Sequence, residues 1–185
     1  MIFRIFVGFF ILMLTTSCNL PWTQSEWGNT WEWLITYDGS WFSMSIPDTW
    51  NIWSWKNLPT PKKWTLLLSA ISPEIRYWFS SNIIILEDSL NTPVTSKKYS
   101  EMNHIQTTKN YLEYTKLWDE PILFQDSDES QAYIFEARYN TTTNRIKFIQ
   151  TAKICGTKIY LLHAAIALDK DAENYIKLFK TFVCQ

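Results

Sequence analysis

The sequence predicts an α+β domain built on a hairpin-rich antiparallel sheet, and three observations carry that reading. Residues 131–139, 145–154 and 158–168 are three β-rich runs in succession, the last two joined tightly by Gly156-Thr157. Residues 96–110 and the segment opened by Asp169 instead repeat apolar residues at helical spacing. Once an apolar leader is set aside, about 165 residues remain, enough for one sizeable core and too few to expect two.

Each element follows in turn. Trp41-Phe-Ser-Met-Ser-Ile46 alternates apolar and polar residues as a half-buried strand does, and Pro47-Asp48 breaks it. Residues 65–71 and 82–87 read as two further strands. In 96–110, Tyr99, Met102 and Ile105 recur at intervals of three with lysines and acids elsewhere, which predicts an amphipathic helix capped by Thr95 or Ser96. Residues 111–118 and 120–125 read as strands, Asp126-Ser-Asp-Glu-Ser130 as a polar turn, and Asn140-Thr-Thr-Thr-Asn144 as the link to the next run. Tyr175, Leu178, Phe179 and Phe182 form the apolar stripe of a closing helix.

The amino end has the three-part layout of a secretory leader. Arg4 supplies a positive charge, residues 5–14 an apolar run, and Thr15-Thr16-Ser17 a small polar stretch before Cys18. A bilayer-spanning helix needs about 20 apolar residues, and this run has only about half of that. A small residue immediately before a cysteine resembles the lipobox of bacterial lipoproteins, although Thr15 stands where an aliphatic residue is usual. The resemblance implies a lipoprotein signal peptide at 1–17, a lipid-bearing Cys18 whose acyl chains anchor the chain to the cell membrane, or to an outer membrane where there is one, a polar tether at 18–33 and a folded domain at 34–185. The alternative is ordinary cleavage nearby, with Cys18 free or disulfide-bonded. An extracytoplasmic compartment permits Cys155 and Cys184 to pair, and two buried free thiols are the other reading.

Charge excludes one class of partner. The 17 Lys and Arg nearly cancel 18 Asp and Glu, and no basic stripe forms, so nucleic acid is not expected. Residues that could carry chemistry are sparse. His104 falls on the polar side of the first helix and His163 inside an apolar strand, and no third ligand stands at metal-like spacing, so no metal site or cofactor is expected. No serine sits in a Gly-x-Ser-x-Gly elbow, and a hydrolase would require His163 to meet an acid and a nucleophile through the fold. Asp126, Asp128 and Glu129 lack the glycine and distal glutamate of a calcium loop and read as a solvated turn.

Phe42-Ser-Met-Ser-Ile-Pro47-Asp-Thr-Trp50 resembles the opening motif of PsbP-like domains, and later elements follow in the same order. Asn82-Ile-Ile-Ile-Leu-Glu-Asp88 is similar to the next strand of that group, 96–110 to its helix, and Gln150-Thr-Ala-Lys-Ile154, Gly156, Lys158-Ile-Tyr160 and 175–182 to its last hairpin and helix. The resemblance implies a central antiparallel sheet flanked by helices on both faces, an α-β-α sandwich shared with PsbP, DcrB-like lipoproteins and Mog. It implies that Phe42, Pro47 and Trp50 are structural, with Pro47 fixing a strand end and Trp50 filling the core. It brings no catalytic residues, and function does not transfer with a fold.

Composition is the most unusual feature: 11 Trp against 4 Gly, where usage of roughly 7% would give about thirteen glycines. Trp41, Trp64 and Trp78 follow or occupy turn-like stretches where glycine would be at home. Either these are glycines encoded by UGA in a lineage that reads the codon so, or tryptophans such as Trp22, Trp27, Trp31, Trp33, Trp53 and Trp55 form an aromatic surface for sugars or lipid headgroups. The functional expectation is a lipid-anchored, non-enzymatic domain that binds a protein or envelope component outside the cytoplasmic membrane. A carbohydrate or small-ligand binder using exposed Trp, a cryptic envelope hydrolase and a purely structural lipoprotein are the alternatives.

Overall fold

The computed structural model describes residues 33–53, 64–89 and 92–185. The leader 1–17, Cys18, the tether as far as Glu32, and Trp55 lie outside the described residues. In chain order the elements are β1 Leu34–Asp38, β2 Phe42–Pro47, β3 Asn51–Trp53, β4 Thr65–Arg76, β5 Phe79–Ser89, α1 Ser96–Thr107 and a 3-10 turn at Thr108–Asn110. They continue with β6 Leu112–Leu123, β7 Glu129–Arg138, β8 Ile146–Cys155, β9 Lys158–Ile166, α2 Ala172–Lys180 and β10 Val183–Cys184.

The expected sheet flanked by helices on both faces is overturned. Strands make up 57% of the described residues, the two helices are short, and the strands divide between two sheets. One has the order β1-β2-β10 and the other β3-β4-β5-β9-β8-β7-β6. Much of what a helical layer would cover is covered by the small sheet. Phe42 of β2 lies 5.6 Å from the ring of Tyr160 in β9 and stacks at 5.0 Å on Phe182 beyond α2. Phe42, Met44 and Ile46 are buried while Ser43 and Ser45 between them are half-exposed, as period-2 alternation requires. Gly39 lies against this strand so closely that a Cβ there would sit 2.7 Å from the Phe42 ring. Pro47 ends β2 and accepts a hydrogen bond from Trp50 N–H at 3.0 Å, and the buried Trp50 ring reaches Tyr175 of α2.

Several strands are longer than alternation alone suggested. β4 runs through Pro73, with the register shifting between Ile71 and Ile75, where a missing N–H is tolerated. β6 is one strand because two register shifts absorb the irregular stretch around Leu112–Trp118, and its Pro121 sits on the sheet's edge. Cys155 at the end of β8 and Cys184 in β10 form a disulfide with Cα atoms 5.7 Å apart. It joins the small sheet to the large one, and closing its loop contributes about 3.6 kcal/mol through the unfolded state.

α1 buries the face opposite to that expected. Met102 and Ile105 are 48% and 53% exposed, while Ser96, Ser100 and His104, spaced by four, are buried. Each buried polar group has a partner on the sheet side. Ser100 Oγ donates to the Gln131 carbonyl at 2.6 Å, His104 Nε2 is hydrogen-bonded to the Tyr114 hydroxyl at 2.9 Å, and the imidazole stacks on Tyr133 at 4.0 Å. Thr95 caps the helix by accepting from Lys98 N–H.

The start of α1 is tied to a buried cation. Lys153 of β8 is 1% exposed, and its ammonium donates to Asp126 Oδ2 at 2.6 Å and Asp128 Oδ2 at 2.9 Å. Ser96 Oγ donates to the same Asp128 oxygen at 2.5 Å and accepts from Ile154 N–H at 2.9 Å. The Asp126-to-Ser130 turn is therefore anchored rather than simply solvated, with Ser127 at φ +66°. Burial pushes the Asp126 carboxyl pKa up, but hydrogen bonds from Lys153 and from Asp128 N–H outweigh it and hold the pKa below the ordinary value. Asp126→Asn with Asp128→Asn strands the ammonium and is expected to cost about 2 kcal/mol in denaturant unfolding, discounted because both carboxylates are partly solvated. Lys153→Met should be close to neutral, because the freed carboxylates hydrate at the surface. A Lys153→Met loss as large as that of the double variant would show that the ion pair is itself net stabilising, rather than only costly to leave half-made.

Candidate functional site: a cleft under the first helix

Between α1 and the face of the large sheet lies a cleft of about 480 Å³, within the roughly 300–1,000 Å³ typical of small-molecule sites. Its floor is Leu86 of β5, Leu161 and His163 of β9, and Gln150 of β8. α1 supplies Tyr99, Met102, Asn103, Gln106 and Thr107, while Trp64, Asn110, Tyr111 and Tyr139 complete the rim. The strand register explains the floor: Gln150 pairs directly with His163 across β8 and β9, so their side chains stand side by side.

Among the described residues, none that lines the cleft is acidic, lysine or arginine. His163 is 7% exposed, and burial lowers its pKa to about 4, so the imidazole is neutral at ordinary pH. Burial also raises the Tyr99 phenol to about 12, helped by Asp88, and pushes the Tyr111 and Tyr139 phenols up. Gln150 is 1% exposed and donates through Nε2 to Thr107 Oγ1 at 3.2 Å. Its side chain also hydrogen-bonds the His104 imidazole, whereas His163 Nε2 and Asn103 Nδ2 are buried without a hydrogen-bond partner, although buried polar atoms are ordinarily paired.

The histidines singled out in the sequence separate. His163 lines the cleft, whereas His104 points into the Tyr114, Tyr133 and Phe135 rings. Burial and then Lys116 lower the His104 pKa to about 4, opposed by Gln150 and Asp119. Cys155 of the large sheet and Cys184 of the small one are joined by the disulfide, and Phe42 and Trp50 are in the core. Trp41 is exposed, with Lys158 Nζ 4.7 Å above its ring. Trp64 meets Tyr99 edge-on at 6.5 Å, and Trp33, Trp53 and Trp78 are exposed. Asn103 was missed because it looked like solvated helix surface. Gln150 left a signal, a polar residue between Phe148 and Ala152 on an otherwise apolar strand face.

No family model and no curated protein sequence matches the chain. The architecture is nevertheless that of a known class, the PsbP-like fold. Cyanobacterial PsbP (CyanoP) from Synechocystis superposes with a TM-score of 0.58 at 10% identity, covering 82% of this chain and 92% of that one. A Pseudomonas aeruginosa protein of unknown function, described as a putative regulator, superposes at 0.47 with 11% identity over 80% of this chain and 91% of its own. A Bacteroides thetaiotaomicron protein superposes at 0.46 with 10% identity, over 82% of this chain and 48% of its own. Only the first superposition is close enough to carry an argument, and it carries the fold alone.

The neutral histidines set an acid dependence. Both folded pKa values are lowered to about 4 from an ordinary 6.5, so between those values the unfolded chain binds more protons. Stability is then full above about pH 6.5 and falls as the pH drops toward 4, by on the order of 3 kcal/mol for His163. The lowered carboxyl of Asp126 adds its own loss below about pH 4. Thermal melting of a His163→Phe variant should show a shallower decline across the histidine window. An unchanged decline would mean that His163 titrates normally.

Proposed function

We propose that this chain is a non-enzymatic, PsbP-like binding domain, held by lipid on Cys18 at the outer face of a bacterial membrane, that takes its ligand or envelope partner through the cleft under α1. The observation that carries the binding reading is one cleft whose described lining joins the amide and hydroxyl side chains of Asn103, Gln106, Thr107, Asn110 and Gln150 to aromatic rings and to no acid, lysine or arginine. A hydrolase built on His163 would need a carboxylate beside its ring, and among the described residues the cleft lining carries none. That favours binding over chemistry. Export draws support from the leader and from the Cys155–Cys184 disulfide, which suits an oxidising compartment. Among the described residues no helix is long and apolar enough to cross a membrane.

Two measurements test the two halves of this reading. Intact mass of the membrane-extracted protein should start at Cys18 and include acyl chains, and Cys18→Ala should abolish both; an unacylated start elsewhere would remove the anchor. A screen of small neutral fragments, read by amide shifts of the full chain in detergent, should move Asn103, Gln150 and His163 together. A screen that leaves all three still would remove the cleft as a binding site.

A further inference from the structure

Resting on that binding reading, we infer that the cleft under α1 is a site for an uncharged saccharide of one or two rings. The lining asks for a ligand that both donates and accepts: the carboxamides of Asn103, Gln106, Asn110 and Gln150 each carry donors and an acceptor, and the Thr107 hydroxyl does both. Hydroxyl groups meet both needs at once. A carboxylate or phosphate would meet no cation among the described lining residues, and an ammonium no anion, so a charged ligand would lose its hydration without recompense from them. Tyr99 and Tyr111 present rings at the rim, against which the apolar C–H face of a sugar can pack, while the amides fix its orientation. The reading does not depend on Trp64.

Saturation-transfer NMR on the full chain in detergent, with glucose, N-acetylglucosamine and their disaccharides as probes, tests this directly. Neutral sugars should show transfer and shift the His163 ring nitrogens, while glucuronate and glucosamine should bind at least tenfold more weakly. Asn103→Ala, a helix-favouring change on the half-exposed side of α1, should weaken the neutral sugars roughly tenfold by removing one buried hydrogen bond. Equal binding of charged analogues, or binding unaffected by Asn103→Ala, overturns the assignment. Neutral fragments that occupy the cleft while every sugar fails would overturn the saccharide class but keep the site, whereas silence from both would overturn the binding reading itself.

A separate observation carries a second inference. β4 and β5 are joined by the two residues Tyr77 and Trp78, at φ +51° and +65°, a hairpin geometry that favours Asn-Gly. Trp78 is 96% exposed, so its side chain has little packing to offset the backbone cost. Trp41 and Trp64 are not among the residues with positive φ and make ring contacts. The geometry points to glycine at position 78 in the protein as its own host makes it, with UGA read as glycine. Peptide mass mapping of the native-host protein decides this: the mass of glycine at position 78 supports it, and that of tryptophan overturns it.

Discussion

The buried Lys153 ammonium is the interaction on which the rest of the site depends. A cation taken out of water in the middle of a sheet must be matched, and the matching carboxylates come from the turn between β6 and β7. Asp128 in turn receives the Ser96 hydroxyl, which is the first residue of α1. One charge therefore sets the position of a turn, a strand and a helix start together. Because α1 forms one wall of the cleft, the spacing between its residues and Gln150 or His163 follows from that corner.

The other faces obey simpler rules. The small sheet covers Tyr160 through Phe42 and Phe182, and the disulfide holds β10 at the end of β8. This apolar side is well packed by large aromatic rings, which contribute through area and through offset or tilted contacts. The α1 side is different in kind. Its buried helix face is Ser96, Ser100 and His104, and its floor includes Gln150 and His163, so polar pairing rather than apolar area orients the helix. A region built this way leaves space lined by polar side chains, which is what a ligand site requires and a pure core does not.

Much of the strand and helix inventory was legible because period 2 and period 3.6 are written directly in residue order. β2, the hairpin of β8 and β9 turning at Gly156, and the stripe of α2 all sit where alternation, glycine and apolar spacing put them. Legibility failed where neighbours far along the chain reverse a local preference. The Met102 and Ile105 side of α1 is the apolar one, yet the polar side turned inward because Gln131, Asp128 and Tyr114 offered partners there. β4 and β6 ran through breaks because bulges and an edge position absorb a proline.

By itself, the sequence determined β2, β5, the run β7 to β9, the closing helix, the tight turn at Gly156 and the likeness of 42–50 to a PsbP-like opening, since each rests on contacts within a few residues, whereas the short β1, β3 and β10 left no such mark. Tertiary structure alone decided that the strands split into two sheets, that α1 buries serines and a histidine, and that Asn103, Gln150 and His163 meet across one cleft. Those outcomes depend on which distant groups satisfy a buried charge or hydrogen bond, and residue order carries no local mark of a partner lying tens of positions away.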